Sequence, residues 1–441
     1  MAITITAAPS ITVGTRMPVI FSVTSDRDNA VSQTSVSFSD YSGTVAGTVK
    51  GTKTAHGLLT GDIVQVTLTS MNGTYAITKI DANNFYFTCT YSATDTSGTV
   101  TRLNSSFQVR CDVTNAAGDT IWATKRKDAV AGVYTFDIAS VLDKQITPAP
   151  RTLGGTGAVA NTDGYEAFNV TFTEEYEDQN GLLKEGDSAD GNVYDAIRAA
   201  TQYNEDQDIA DYVAAFADTG KFLTTSPDFH IASTEEVQLS LLVTSATESV
   251  NLYLLLTNSA GATSSQTVTA VTIVGSGTLL ATFPVNSGKF GSNVRADCTA
   301  KDQAGNVISE TKTIYIDQPC SNGKRVWWRN PLGGYDAYTF PIQPDKNVEV
   351  SRSAYAQNNA TKGNYTYKVS DVDSWEEVYV SSSYLTPAQG EWLATLLRSK
   401  EVYVQDGSTL RPILLYNDSE RIGGEDMIRI VLHYRMAEGL K

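Results

Sequence analysis

The sequence contains few of the residues from which metal sites and histidine-based catalytic sites are built. Its 441 residues include only 4 cysteines and 3 histidines. Cys89, Cys111, Cys298 and Cys320 stand far apart, and no pair has the C-x-x-C spacing of a zinc knuckle or a redox site. We therefore predict no bound transition metal and no cofactor. Free thiols in a protein made in a reducing cytoplasm are the favoured interpretation, and a disulfide is the alternative.

The chain also lacks long apolar runs and an excess of positive charge. Its longest apolar runs, such as Leu252–Leu256, are far shorter than the roughly 18 residues that cross a bilayer. The first ten residues, MAITITAAPS, show no basic start followed by an apolar stretch, so no secretory signal is visible. The 33 Lys and Arg residues are outnumbered by 49 Asp and Glu residues, which gives a formal net charge of −16. We predict no membrane insertion and no nucleic-acid partner, because an acidic surface repels phosphates.

The residues that are abundant are typical of extended, turn-rich structure. Thr and Ser are frequent and there are 33 Gly and 22 Tyr residues, whereas charged residues make up only 19%. At roughly 150 residues per domain, the length predicts about three domains. The predicted fold class is mainly β and multidomain. We expect β-sandwich domains of the fibronectin-III or immunoglobulin-like type, and a C-terminal α+β domain with one helix packed on strands.

The N-terminal part is predicted to be a β domain that an insertion interrupts. Residues 1–40 and 103–147 alternate with period two as strands do, and the second stretch closes in a short helix after Ile138. Residues 41–102 have turn signals of their own between three alternating strands, so we predict a small inserted β module, since loop tips tolerate insertions. The turn signals are Gly61-Asp62, Asn72-Gly73 and Asn83-Asn84.

Residues 148–230 are predicted to be a linker followed by an acidic strand and helix. The stretch 148–165 is rich in Pro and Gly and has almost no charge. From Glu174 to Asp211 there are twelve Asp and Glu residues against only two basic residues. The segment IADYVAAFA near the end of this tract has the apolar spacing of an amphipathic helix. Its apolar residues are Ile209, Tyr212, Val213 and Phe216.

Residues 231–318 are predicted to form a sandwich. Between Val237 and Asp317, six strand-like segments follow one another about ten residues apart, which is typical of six of the seven strands of a fibronectin-III or immunoglobulin-like domain. The paired Cys and the Trp of true immunoglobulin domains are missing. A sandwich of this kind usually serves as a spacer or an interaction unit.

Residues 319–441 are predicted to form a β-rich domain around one helix at 387–399. Thr386 is the expected N-cap and Pro387 the first helical residue. The helix carries one apolar stripe that should face the neighbouring strands. The stripe consists of Trp392, Leu393, Leu396 and Leu397.

Aromatic side chains of this last domain are the candidate interface residues. A dense aromatic cluster of this kind suits a bound sugar, a partner chain or a core, and core packing is favoured for most of its members. Because neighbouring residues of a strand point to opposite faces, one of Trp327 and Trp328 is expected in the core and the other at an interface. The candidate interface and assembly residues are Trp327, Trp328, Tyr335, Tyr338, Phe340 and Trp392.

Catalytic motifs are missing, and we predict that the protein is not an enzyme. No GxSxG, HExxH, P-loop or dinucleotide-binding fingerprint occurs, and His56 and His433 are expected to be structural. A carboxylate pair about 5–9 Å apart would suit glycoside hydrolysis, and a surface calcium at Asp187–Gly191 is a second alternative. A solvated acidic face is favoured over both. The carboxylates considered are Glu174, Glu175, Glu177 and Asp178.

Several segments, taken in order, resemble a family of structural proteins from the virions of tailed bacteriophages, mostly minor tail proteins. The resemblance spans most of the chain, and it is most specific between Cys320 and Val404. The module at 41–102 resembles a small β module that recurs in such virion proteins, although the family does not generally carry it. Trp328 before Arg329 is a second departure from the family pattern. The matching segments are Pro18–Asp26, Phe107–Asp119, Gly132–Leu142, Phe172–Tyr176, Cys320–Phe340 and Tyr384–Val404.

This resemblance implies a structural component of the virion, placed in the tail or in a baseplate-like distal tail. Such a protein is made in the cytoplasm of the bacterial host and acts through assembly, with itself as a symmetric homo-oligomer and with other virion proteins as partners. The alternatives are a carbohydrate-binding adhesin that contacts a host-surface glycan or receptor, and a capsid-associated decoration protein. A tail-borne glycan hydrolase is a further alternative, and it rests only on the acidic tract.

Overall fold

The structure of the chain, a computed structural model, is mainly β, as the composition predicts. It describes residues 3–9, 12–25, 32–103, 107–127, 133–146, 153–154, 159–160, 165–177, 182–198, 213–214, 220–244, 249–272, 278–317, 323–341, 345–356, 367–416 and 428–437.

The chain divides into two compact units. Unit 1 comprises Met1–Gln145 and Glu166–Ala196, and unit 2 comprises Ile146–Tyr165 and Ile197–Lys441. The finer division into five segments stays a prediction. Within the ranges just given, none of the helices is long and apolar enough to span a bilayer. These helices are α1 (Ala139–Gln145), α2 (Ser287–Phe290) and α3 (Pro387–Arg398).

Strands make up most of both units. The first sixteen are β1 (Ile3–Ala7), β2 (Thr12–Gly14), β3 (Ile20–Ser25), β4 (Ser32–Asp40), β5 (Thr48–Thr52), β6 (Ile63–Thr67), β7 (Gly73–Lys79), β8 (Asn84–Thr88), β9 (Ser97–Arg102), β10 (Phe107–Asn115), β11 (Ile121–Lys127), β12 (Tyr134–Asp137), β13 (Val159–Ala160), β14 (Tyr165–Glu177), β15 (Leu183–Asp190) and β16 (Tyr194–Ile197). The others are β17 (Val213–Ala214), β18 (Phe229–Ala232), β19 (Val237–Thr244), β20 (Ser249–Asn258), β21 (Thr263–Thr272), β22 (Thr278–Val285), β23 (Asn293–Lys301), β24 (Lys312–Asp317), β25 (Lys324–Arg329), β26 (Tyr335–Phe340), β27 (Asp345–Ala356), β28 (Tyr367–Ser381), β29 (Val402–Asp406), β30 (Thr409–Leu415) and β31 (Val431–Met436).

Two sheets of unit 1 enclose an aromatic core. One has the order β1-β3-β12, and the other has the order β11-β10-β14-β16-β2 with β15 added on β14. The ring centroid of Phe21 on β3 lies 5.7 Å from that of Phe172 on β14 and 5.2 Å from that of Tyr194 on β16. All three side chains are buried, so aromatic packing joins the two sheets. The short helix predicted after Ile138 is confirmed as α1.

The inserted module of unit 1 is a closed barrel. Its strand order is β4-β5-β8-β7-β6-β9, and the three strands predicted around the turn signals are confirmed as β6, β7 and β8. The barrel begins earlier than the predicted boundary at Tyr41, because β4 starts at Ser32 and closes the barrel by pairing with both β5 and β9. Close packing inside the barrel requires glycine at Gly51, where a Cβ atom would lie 2.3 Å from Cζ of Phe85.

A sandwich-like pair of sheets forms the first part of unit 2. The six strands predicted between Val237 and Asp317 are confirmed as β19 to β24. One sheet has the order β18-β24-β23-β20-β21 and the other β13-β22-β19-β17. Leu239 and Leu241 of β19 share one buried cluster with Leu252 and Leu254 of β20, so the apolar faces of the two sheets form one core.

Strand pairing corrects two predictions about the segment before this sandwich. Val213 and Ala214, predicted to lie in an amphipathic helix, form β17, which pairs in parallel with Leu242 and Val243 of β19. The helix prediction is wrong at these two residues because a non-local ladder of hydrogen bonds overrides the local apolar spacing. Ile209, Tyr212 and Phe216 lie outside the described residues. Within the predicted linker, Val159 and Ala160 form β13 and pair with β22.

A seven-stranded sheet and helix α3 form the rest of unit 2. The sheet has the order β26-β25-β29-β30-β31-β28-β27. The predicted N-cap is confirmed as a full capping box, in which the backbone N–H of Gln389 donates to Oγ1 of Thr386 at 3.3 Å and that of Thr386 donates to Oε1 of Gln389 at 3.1 Å. Three residues of the apolar stripe of α3, Trp392, Leu393 and Leu396, are buried in a cluster that they share with Trp328, Val380 and Leu432. The fourth, Leu397, is half-buried and packs against this cluster.

Candidate functional site

The six aromatic residues selected from the sequence all lie in the interior of unit 2. Trp327 and Trp328 point to opposite faces of β25, as predicted, but both are buried: Trp328 lies in the main core, and Trp327 packs with Tyr335 and Tyr403 in a smaller cluster. Tyr338, Phe340 and Trp392 are buried as well. These residues are between 0 and 9% exposed, so they offer little area to a second chain. The assembly role assigned to these six stays a prediction.

Trp392 is the residue of α3 that ties the helix to the sheet. Its indole N–H donates to Oδ2 of Asp336 on β26 at 2.8 Å. Burial raises the pKa of Asp336 to about 6, and the hydrogen bonds that this carboxylate accepts, among them the one from Trp392, oppose the rise. The ring of Trp392 also packs against Trp328 and Phe229 at centroid distances of 5.4 and 6.1 Å.

The most exposed apolar feature of this sheet is the hairpin of β27 and β28. The two strands pair from Asp345 and Tyr379 to Ala356 and Tyr367, whereas β28 pairs with β31 only over Glu377–Ser381. The outer part of the hairpin is therefore a two-stranded ribbon with no third described strand beside it. A ribbon of this kind is marginally stable by itself in water.

Apolar side chains line this ribbon in spite of its exposure. Val348 and Val350 of β27 are 63% and 45% exposed, and Val372 of β28 is 51% exposed. Strand β27 is the last in the sheet order, and no described strand lies beyond it, so one row of its backbone N–H and C=O groups faces outward. Strand β27 thus combines an outward-facing row of backbone groups along its 12 residues, or about 40 Å, with uncovered valines in the ribbon.

A second exposed feature covers the sheet face opposite α3. Tyr379 of β28 stacks on His433 of β31, with centroids 4.1 Å apart and ring planes 10° apart, and the Tyr416 ring follows at 5.3 Å from His433. Glu377 lies at the centre, with its carboxylate 3.0 Å from Nε2 of His433 and 3.2 Å from Nε1 of Trp375. We call these side chains the outer layer. Tyr379 and His433 cover one ring face of each other, so these faces are closed to a sugar ring.

The carboxylates considered for glycoside hydrolysis are used by structural partners in unit 1. Glu174 and Glu175 are consecutive on β14 and therefore point to opposite faces. Glu175 is fully buried and receives hydrogen bonds from Arg126 Nε at 2.6 Å and Arg110 Nη1 at 2.9 Å, and these guanidinium groups hold its pKa below the usual range. Glu174 accepts from Ser25 and from the backbone N–H of Asp187. Glu177 is exposed, and Asp178 lies outside the described residues.

The structure also places the other candidate polar residues. His56 is buried and structural: its Nδ1 accepts from the backbone N–H of Leu58 at 3.0 Å, and burial lowers its pKa. Asp187–Asp190 belong to the extended strand β15 and not to a calcium loop. Among the described residues, no group of three or more His, Cys, Asp or Glu side chains is arranged to hold a metal ion. Cys89, Cys111 and Cys298 are free thiols, and Cys320 lies outside the described ranges.

The ribbon and the outer layer are features that the sequence analysis did not select. The signal for the ribbon was present, since Val348 and Val350 alternate with polar residues in DKNVEVSRSAYA. The outer layer had no local signal, because Tyr379, Tyr416 and His433 come together only through the strand order β30-β31-β28. Compared with protein-family models and with curated proteins, the sequence matches none.

Proposed function

We propose that the chain is a structural component of a tailed-phage virion, in the tail or in a baseplate-like distal tail, and that it acts by assembly. The family resemblance of the sequence supports the virion, and the ribbon of β27 and β28 supports assembly. The single observation that carries the proposal is the uncovered edge of β27, a 12-residue strand with exposed valines at Val348 and Val350.

The proposed contact is β-strand addition between copies of the chain. An unpaired strand edge is a template for another strand, and the main-chain hydrogen bonds it forms are worth more when side chains on one face are buried at the same time. Strand β27 contains no proline, which would block pairing, and its charged residues are interspersed with the valines. Pairing with a second copy would cover Val348 and Val350 and give the marginal ribbon a third strand.

The test is the association state of the double variant Val348→Lys/Val350→Lys. Covering two valines is worth about 3 kcal/mol or more, so the variant should associate roughly a hundredfold more weakly than the wild-type chain. Sedimentation equilibrium over a range of concentrations measures this difference. The matched control is Val294→Lys/Val307→Lys, which changes two valines of similar exposure, 43% and 52%, elsewhere in unit 2. The control should leave association unchanged.

Two results would contradict the proposal. If the wild-type chain stays monomeric at all concentrations, the ribbon is not an assembly surface. The same conclusion follows if both double variants weaken self-association equally. Absence of the chain from purified phage particles, probed with an antibody against it, would remove the virion role. The adhesin alternative gains little from the six aromatic residues on which it was based, because each is at most 9% exposed.

A further inference from the structure

A cleft of about 340 Å³ opens in unit 2 where β18, β24, β26 and the start of α3 meet. Its floor is largely apolar and aromatic, and one aromatic side chain at its rim, that of Tyr384, is 66% exposed. Concave sites with an apolar floor and a few polar groups are where ligands usually bind. The floor consists of Ile231, Tyr338, Leu385 and Trp392.

Several polar side chains of the cleft bond one another. The side-chain amide of Gln389 donates to Oδ1 of Asp228 at 3.2 Å, and the hydroxyls of Tyr338 and Ser383 bond each other at 2.9 Å. Thr339 donates to Glu235, whose second carboxylate oxygen is paired with Nη1 of the buried Arg325 at 2.8 Å. The charge of Glu235 is therefore neutralised within the fold.

Two carboxylates on one wall of the cleft, those of Asp317 and Asp228, can still accept hydrogen bonds. Asp317 and Asp228 flank His230, with Oδ2 of Asp317 3.0 Å from Nδ1 and Oδ2 of Asp228 3.7 Å from Nε2. The side chains of Asp317 and Asp228 are still 56% and 28% exposed, and an ionised carboxylate has about four acceptor positions. No Lys or Arg is among the residues that line the cleft, so this wall is acidic.

We propose that this cleft binds a basic side chain, arginine or lysine, of a partner protein. A guanidinium or ammonium group carries donors only and a positive charge, which matches the two carboxylates. The apolar stem of such a side chain fits the aromatic floor, and the exposed ring of Tyr384 adds a cation–π contact. An anion would be repelled by the two carboxylates. The inference does not depend on the proposed self-assembly.

The test uses the full chain and two tripeptides, acetyl-Gly-Arg-Gly-amide and the same peptide with neutral citrulline in place of arginine. Because charge-assisted hydrogen bonds are the stronger ones, the arginine peptide should bind about tenfold or more tightly than its neutral match. Titration followed by NMR chemical shifts measures both affinities. Asp317→Asn and Tyr384→Ala change exposed side chains and should each weaken arginine binding severalfold. The control Asp406→Asn removes an exposed carboxylate that does not line the cleft and should leave binding unchanged.

Equal affinity for the two peptides would overturn the proposal, because charge would then play no part. An arginine affinity that Asp317→Asn leaves intact would overturn it as well, since the peptide would be binding elsewhere. If a free hexose binds in the cleft and neither peptide binds measurably, the cleft is a glycan site instead.

Discussion

Trp392 donates its indole N–H to the buried carboxylate of Asp336, and this bond joins helix α3 to strand β26 at a distance of 2.8 Å. The pair lies where three aromatic rings, those of Trp328, Phe229 and Tyr338, close around Trp392. Packing and hydrogen bonding therefore converge on one side chain. The stability of the C-terminal sheet should depend on it more than on any exposed residue of α3.

Replacing Trp392 with Ala should lower the free energy of unfolding of this part of unit 2 by about 3–5 kcal/mol, because a large buried side chain is lost and a cavity is left. Urea unfolding followed by tryptophan fluorescence measures the change. Trp392→Phe keeps most of the apolar volume and removes only the hydrogen-bond donor, so it should cost less, about 1–3 kcal/mol. A Trp392→Ala protein as stable as the wild type would show that α3 is not held by this contact.

Asp336 should make stability depend on pH in an unusual direction. Its folded-state pKa of about 6 lies above the ordinary value of 3.8, so between about pH 4 and pH 6 the native state binds more protons than the unfolded state. The free energy of unfolding should therefore fall as pH rises through this window, by about 2–3 kcal/mol, and the contribution should be constant above it. The difference between wild type and Asp336→Asn across pH 4–8 isolates this contribution. Parallel pH profiles for the two proteins would contradict it.

Glu175 should be a strong stability determinant of unit 1. The substitution Glu175→Gln removes the carboxylate that Arg110 and Arg126 share, which should lower the free energy of unfolding by roughly 2–3 kcal/mol. The loss should be smaller than for a fully buried ion pair, because the side chain of Arg126 is 45% exposed. Thermal or urea unfolding of the full chain measures the loss. The matched control is Glu185→Gln, since Glu185 pairs with the same Arg110 but is 60% exposed and should cost less than about 1 kcal/mol. Similar losses in both variants would contradict the ranking.

The barrel should be removable as a unit if the cut respects its first strand. Deleting residues 32–102 and bridging the ends with a short Gly/Ser linker removes all six barrel strands, and the two sheets of unit 1 keep their aromatic core. Deleting only residues 41–102 leaves strand β4 in place without its partners β5 and β9, and this exposed strand should reduce solubility. Calorimetry compares the two deletions. Loss of the cooperative unfolding of unit 1 in the 32–102 deletion would show that the barrel completes the first domain.

The sequence could predict the elements whose signals are local. Helix α3 carries its own N-cap at Thr386 and its own apolar stripe, and the strands β19 to β24 alternate between turns, so their prediction needed no knowledge of neighbours. Strands β13 and β17 could not be predicted, because two residues become a strand only through pairing with β22 and β19. The same limit applies to the cleft, where His230 and Asp317 meet across 87 positions of sequence. The aromatic residues of β25 and β26 were recognised, but their burial depends on elements far along the chain.

The position of β31 in its sheet has a consequence for synthesis of the protein. Val431–Met436 lies between β30 and β28, although it is made after both. A nascent chain therefore cannot complete the sheet until residue 436 has left the ribosome, and a truncated product that ends before Val431 keeps an open slot between two strand edges. Such a product should be recognised by proteases and chaperones. Quality control is in this way coupled to synthesis of β31.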